Sequence, residues 1–220
     1  MLKVLGRARR IVSPARQAVV IADLSNGYEA AAAEFRRRRE QSSIGVAIVR
    51  TWSRSLRRGG AILDLGCGTG VPIAEALINE GFVIYGIDAS PTLAAAFRRR
   101  FCDADLACEA IEHSRFFDRT FDGVIAVGLM FLLPADVQRA TIHRVGQALN
   151  PGGRFLFTSP AQQCTWSDVL TGRQSLSLGC EEYQAVLSDA GFTRIDEHED
   201  EGTNHYYDAC LVRAPSSGAA

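Results

Sequence analysis

Ile62-Leu63-Asp64-Leu65-Gly66-Cys67-Gly68-Thr69-Gly70 is the stretch that decides the fold. Ala61–Leu65 is apolar except for Asp64, the pattern of a short parallel strand buried on both faces. Three glycines at alternate positions follow, and helix-forming residues come next. Glycines let the backbone turn sharply and let a ligand approach without meeting a Cβ. A turn that opens a helix also leaves backbone N–H groups facing the ligand. A dinucleotide fingerprint needs its third glycine at position 71, where this chain has Val71. Asp64, just before the glycines, would repel a pyrophosphate and welcome an ammonium group. The loop therefore argues against NAD and FAD.

Outward from this loop, strands and helices alternate. Val71–Glu80 reads as a helix, Phe82–Ile87 as a second strand, and Pro91–Arg100 as a helix with proline in its first turn. Leu106–Ile111 is a third strand and Phe121–Val127 a fourth. The Val137–Leu149 helix follows, with Ile142, Val145 and Leu149 inward. Asn150-Pro151-Gly152-Gly153 reads as a turn before strand five at Arg154–Thr158. Glu181–Ala190 is helical, and strands at Phe192–Glu197 and Tyr206–Val212 are joined too briefly to be anything but an antiparallel hairpin. Upstream, two helices precede the first strand, one with Tyr28, Ala31, Ala32 and Phe35 on its apolar face, the other with Ile44, Ile48, Val49, Trp52 and Leu56. This alternation predicts an α/β fold: a doubly wound, mostly parallel seven-stranded sheet whose final strand is antiparallel.

With 220 residues, 47 % of them apolar and 22 % charged, the chain is expected to form one globular domain over residues 25–213. Residues 1–24 read as a basic N-terminal extension and 214–220 as a loose tail. The net charge is −1 but uneven: residues 1–60 carry thirteen basic and four acidic side chains, while 181–208 carry nine acids and only Arg194. The run Arg36–Arg39 lacks interleaved aromatics, so a solvated helix face accounts for it better than a nucleic-acid reader. Six scattered cysteines form no C-x-x-C pair, which argues against a metal site. They are expected to be reduced thiols in a cytoplasmic protein with no secretory leader. No apolar run approaches the roughly 18–20 residues that span a bilayer.

The glycine loop resembles motif I of the class I S-adenosylmethionine-dependent methyltransferases. Three further features agree in order: Asp88 ending strand two, Phe121-Asp122 opening strand four, and the Leu149-Asn150-Pro151-Gly152-Gly153 turn. The match covers about residues 25–212, and it implies a Rossmann-like methyltransferase fold with S-adenosylmethionine as cofactor. The resemblance assigns Asp88 to both ribose hydroxyls, a charge-assisted arrangement, and Asp64 to the methionine ammonium. Capping of the following segments is the plainer role for each carboxylate. Tyr28, Gly66, Cys67, Gly68, Gly70 and Ala89 join them around the cofactor, with Gly128 and Leu129 beneath it. The family often ends strand three with an acidic residue. Here Ala110 holds that place, and the backbone of Ile111 with the side chain of Glu112 is the expected adenine contact, with Glu109 as the alternative.

Ligands of open α/β sheets bind beyond the carboxyl ends of the strands. Met130, Phe131, Trp166, Asp168, Asn204, Tyr206 and Tyr207 come from segments ending there and are expected to wall an acceptor pocket. Its mix of aromatic and polar groups suits a small-molecule acceptor. His205, in the hairpin turn, is the leading candidate for a general base, ahead of His113, although a hydrogen-bonded turn histidine is the simpler reading. His143 and His198 read as structural. The cofactor supplies the electrophile, so the protein contributes alignment and desolvation. Cys67 needs no nucleophilic role. Two competing readings stay open: a methyltransferase acting on RNA or protein through the basic front, and a non-catalytic S-adenosylmethionine-binding protein. Val127-Gly128-Leu129-Met130 lacks the N/D-P-P-Y loop of base amino-methylating enzymes, which counts against nucleic acid.

Overall fold

The computed structural model describes residues 23–211. The expected basic extension before residue 23, the C-terminal tail and Val212 fall outside them. Seven strands form one sheet in the order β3-β2-β1-β4-β5-β9-β8: β1 (Ala61–Leu65), β2 (Val83–Asp88), β3 (Asp105–Cys108), β4 (Phe121–Ala126), β5 (Leu149–Thr158), β8 (Phe192–Glu199) and β9 (His205–Leu211). Strands β1 to β5 pair in parallel, and β9 runs antiparallel to both of its neighbours. Every residue of β1 is buried, as its apolar run requires. The connections from β1 lead through α3 (Ile73–Asn79) to β2 on one side, and from β3 across to β4 on the other. The chain thus reverses direction across the sheet between β1 and β4. Such a switch point opens a crevice at the strand ends.

Two apolar layers cover the sheet. One face packs Leu63, Leu65, Val124, Phe155 and Phe157 against α5 (Ala135–Ala148) and α6 (Cys180–Asp189) through Ile142, Val145, Tyr183 and Leu187. The other packs Ile62, Ile84, Ile125 and Leu156 against α2 (Val46–Ser53), α3 and α4 (Pro91–Arg100) through Trp52, Leu77 and Phe97. Pro91 opens α4 with Ser90 as N-cap, whose hydroxyl accepts the Leu93 N–H at 3.2 Å. Helix α1 (Tyr28–Arg39) lies at the strand ends. Its Glu29 carboxylate accepts from the Thr92 N–H at 3.0 Å and the Thr92 hydroxyl at 2.6 Å, and from Ser90 Oγ, which docks α1 on the start of α4.

The structure differs from the sequence reading in three places. Strand β3 stops at Cys108, so Ala110 and Ile111 are buried in the turn beyond it. The Pro151-Gly152-Gly153 segment does not separate a helix from a strand. It bulges out within β5, whose pairing with β4 jumps from Leu149 opposite Phe121 to Arg154 opposite Gly123, with Gly152 at φ +81°. A two-stranded ribbon, β6 (Cys164–Ser167) and β7 (Gln174–Ser177), also lies after β5. Four-residue strands rich in polar side chains give too little alternation to be read from sequence.

Candidate active site

A cavity of about 570 Å³ occupies the crevice at the carboxyl ends of β1, β2, β4 and β5. The glycine loop forms its floor. Gly66 N–H and Cys67 N–H both donate to the Ile87 carbonyl, at 2.8 and 3.0 Å, which pins the loop to β2. Gly66, Gly68 and Gly70 all have positive φ, +68°, +57° and +79°, so each position requires glycine's backbone freedom.

Asp88, at the end of β2, accepts the Gly68 N–H at 2.7 Å on one carboxylate oxygen and the Ser90 N–H at 2.8 Å on the other. Burial pushes its carboxyl up to about 6, while these two backbone hydrogen bonds pull the other way. Asp64 is 3 % exposed and has no hydrogen-bond partner among the described residues, though it lines the cavity. Burial first, then the neighbouring charge of Asp88, push its carboxyl up to about 8, with Arg39 opposing. A buried carboxylate without a donor, open to a cavity, is a place for a cationic ligand. Burial and the same two carboxylates raise the Cys67 thiol well above its ordinary range, so it stays protonated and offers no nucleophile.

Of the expected cofactor residues, Tyr28, Asp64, Gly66, Cys67, Gly70, Asp88, Ala89, Glu112, Gly128 and Leu129 line this cavity. Gly68 lies just behind it, and its N–H holds Asp88. Ile111 does not reach the lining: it is 5 % exposed beneath the turn, with its carbonyl accepting from Arg144 Nη1 at 2.7 Å. Among the expected acceptor residues, Phe131, Asp168, Asn204 and Tyr206 line the cavity. Asn204 Nδ2 is turned to Asp200, 3.0 Å from both carboxylate oxygens, and the Tyr206 hydroxyl donates to Asp200 at 2.9 Å. Met130 is fully buried in the core, because the short 3-10 turn Met130–Leu132 directs Phe131 into the cavity instead. Trp166 stands behind Phe131, ring centroids 5.4 Å apart, rather than on the lining.

His205 is likewise not at the cavity. It is the first residue of β9, not part of the turn, and strand alternation sends it to the opposite face from Tyr206. There it meets Tyr207, which is fully buried and likewise off the lining, with ring centroids 4.8 Å apart, and its Nε2 lies 3.2 Å from Glu197. His113 sits exposed in the turn after β3, away from the lining.

Several lining residues escaped the sequence reading. Arg39 is the last of an arginine run, but Phe35 and Arg39 stand at i+7 and i+11 from Tyr28 on one helix face, and all three line the cavity. That spacing was the available signal. Gln174 and Leu176 come from the unforeseen ribbon, which joins α1 through the Tyr28 hydroxyl to Asp168 (3.1 Å) and Arg173 to Asp23 (2.7 Å). Among the described residues, no group of three or more His, Cys, Asp or Glu could hold a metal ion, and no helix is long and apolar enough to cross a membrane.

Comparison with known proteins agrees with this geometry. Residues 62–153 match a family described as a methyltransferase domain, a segment that contains the glycine loop, Asp88 and the bulge of β5. The chain is 36 % identical over 108 residues to a carboxy-S-adenosyl-L-methionine synthase of Chromohalobacter salexigens, covering 46 % of this chain and 40 % of that protein. It is 28 % identical over 109 residues to a probable tRNA methyltransferase 9B of Homo sapiens, covering 49 % and 23 %. The match thus spans less than half the length of these relatives. The fold resembles that of an S-adenosylmethionine-bound amino pentose methyltransferase from Micromonospora echinaspora, with a TM-score of 0.64 and 17 % identity over 82 % of this chain and 96 % of that one. Residues 62–153 thus resemble a methyltransferase domain, on a fold like that of S-adenosylmethionine-dependent methyltransferases.

Proposed function

We propose that the cavity holds S-adenosylmethionine and that the chain transfers its methyl group to a small-molecule acceptor by in-line displacement. The observation that carries this is the arrangement of two buried carboxylates around the glycine loop. Asp64 is unpartnered, and Asp88 is aimed along the loop that its two backbone hydrogen bonds define. Asp88 would receive the ribose hydroxyls, Asp64 the ammonium of the methionine part, and Arg39 its carboxylate. Glu112 is at hand for the adenine amine. The cofactor supplies an activated methyl group on a sulfonium centre. The residues of the chain orient it, exclude water and hold the acceptor in line, which is where most of the rate gain of such a displacement arises.

An acceptor of small size is supported by how the cavity is closed. Helix α1 and the β6–β7 ribbon meet over it through Tyr28 and Asp168, leaving a volume within the usual range for a small-ligand site. With His205 and His113 away from the lining, no histidine is available there as a base. The test is a mass-spectrometric screen with isotopically labelled S-adenosylmethionine and a metabolite mixture. A labelled small-molecule product supports the proposal. Labelling confined to added tRNA would move the assignment to the RNA-directed reading.

A further inference from the structure

The cavity is lopsided in charge. Among the described residues, Asp23, Asp64, Asp88, Glu112 and Asp168 line it against one cation, Arg39. In the proposed cofactor site, Asp64, Asp88 and Glu112 have ligand groups to meet, and Asp23 is answered by Arg173 at 2.7 Å. Asp168 is different. It is 8 % exposed, and its partners among the described residues are neutral. Its Oδ1 accepts the N–H groups of Leu170 (2.9 Å) and Thr171 (2.8 Å), which closes the turn between β6 and β7. Its Oδ2 has only the Tyr28 hydroxyl, at 3.1 Å, longer than the usual O–H···O bond. A carboxylate taken out of water without a counter-ion is costly, and the cost is relieved when a ligand brings the cation. The rings of Tyr28 and Phe131 line the same cavity and offer the π faces that a cation also favours.

We propose that Asp168, with the Tyr28 hydroxyl, is the acceptor-recognition pair, and that the acceptor is a primary or secondary amine entering as its ammonium ion. This rests on the reading of the cavity as a cofactor site. The ammonium gives one proton to Asp168 Oδ2. The nitrogen lone pair so freed forms a bond to the sulfonium methyl carbon as the carbon–sulfur bond breaks, its electron pair staying on sulfur. The proton on Asp168 passes to water. The products are the N-methylated ammonium, the neutral thioether and one proton.

The test separates acceptor from cofactor. Wild type and Asp168→Asn are first titrated with S-adenosylhomocysteine by calorimetry, where equal affinities are expected. The loaded proteins are then titrated with amines matched to the alcohol and carboxylate of the same skeleton: phenethylamine, phenethyl alcohol and hydrocinnamate; cyclohexylamine, cyclohexanol and cyclohexanecarboxylate. Wild type should favour the amines, and Asp168→Asn should lose about thirtyfold or more of that preference, as when a buried charge pair loses one partner. Labelled S-adenosylmethionine should place its methyl on nitrogen. Asparagine keeps the Oδ1 acceptor that closes the turn, so a purely structural Asp168 predicts an unchanged preference. That result overturns the inference, as does tighter binding of the carboxylates or no binding of any amine to the loaded protein. Failure of S-adenosylhomocysteine itself to bind overturns instead the cofactor reading on which the inference rests.

Discussion

Replacing Asp64 with asparagine removes a charge that the fold holds at a cost. The carboxyl titrates near 3.8 in the unfolded chain and is pushed up to about 8 in the folded one, by burial above all, then by Asp88, with Arg39 opposing. The folded state therefore binds more protons than the unfolded state between these values. Stability is greatest at the acid end of that window and falls as the pH rises through it. A shift of this size corresponds to about 5–6 kcal/mol at and above about pH 8. Asparagine avoids the penalty but leaves a buried amide short of partners, at about 1–2 kcal/mol. The ligand-free variant should thus be more stable than wild type by about 3–5 kcal/mol near pH 8, at about 2–4 °C in Tm per kcal/mol. The same change should weaken S-adenosylhomocysteine binding about ten- to hundredfold, because the ammonium loses a charged partner. Thermal melts between about pH 5 and about pH 9, with and without ligand, measure both effects. The smaller slope left in the variant should lie between 3.8 and about 6, the window set by the raised Asp88 carboxyl, and vanish above it. A wild type no less stable at about pH 8 than at about pH 6, or a variant with an undiminished slope, would refute the reasoning.

Three further outcomes are expected. Gly70→Ala puts a Cβ 2.8 Å from Phe97 Cδ2 at a φ of +79°, so denaturant melts should show a loss of about 2–4 kcal/mol. His205→Ala should leave methyl transfer within about twofold of wild type, since a side chain remote from the reacting groups contributes no general-base term; a loss of about a hundredfold would restore its catalytic role. Glu29→Ala removes the acceptor of the Thr92 and Ser90 hydrogen bonds that dock α1 on α4. Hydrogen exchange in α1 should accelerate and cofactor affinity should drop several-fold, whereas unchanged exchange would show that other contacts hold the helix.

The sheet was readable in the sequence because buried parallel strands carry unbroken apolar runs. Glycines at positive φ also left a spacing that fits one ligand class and excludes another. The cofactor side of the cavity inherits that legibility: Asp64 and Asp88 sit at strand ends whose positions the runs fix. The acceptor side does not. In the proposed reading it is assembled largely from a two-stranded ribbon of four-residue strands and a 3-10 turn, neither of which has a clear period. Met130 was mistaken for a lining residue beside Phe131, because such a turn sends adjacent side chains different ways. His205 was placed beside Tyr206, which does line the cavity, but adjacent side chains alternate faces along a strand. Asp168 was legible as polar and near the strand ends, but its hydrogen bond to Tyr28, 140 residues away, is a tertiary fact.

Calorimetric titration of the purified protein with S-adenosylhomocysteine, repeated with Asp88→Ala, tests the central claim most directly. Heat of binding at one site per chain is expected, weakened about ten- to hundredfold by the substitution as two charge-assisted hydrogen bonds are lost. Silence with S-adenosylhomocysteine and S-adenosylmethionine, alongside clear heat from a nicotinamide dinucleotide, would contradict it.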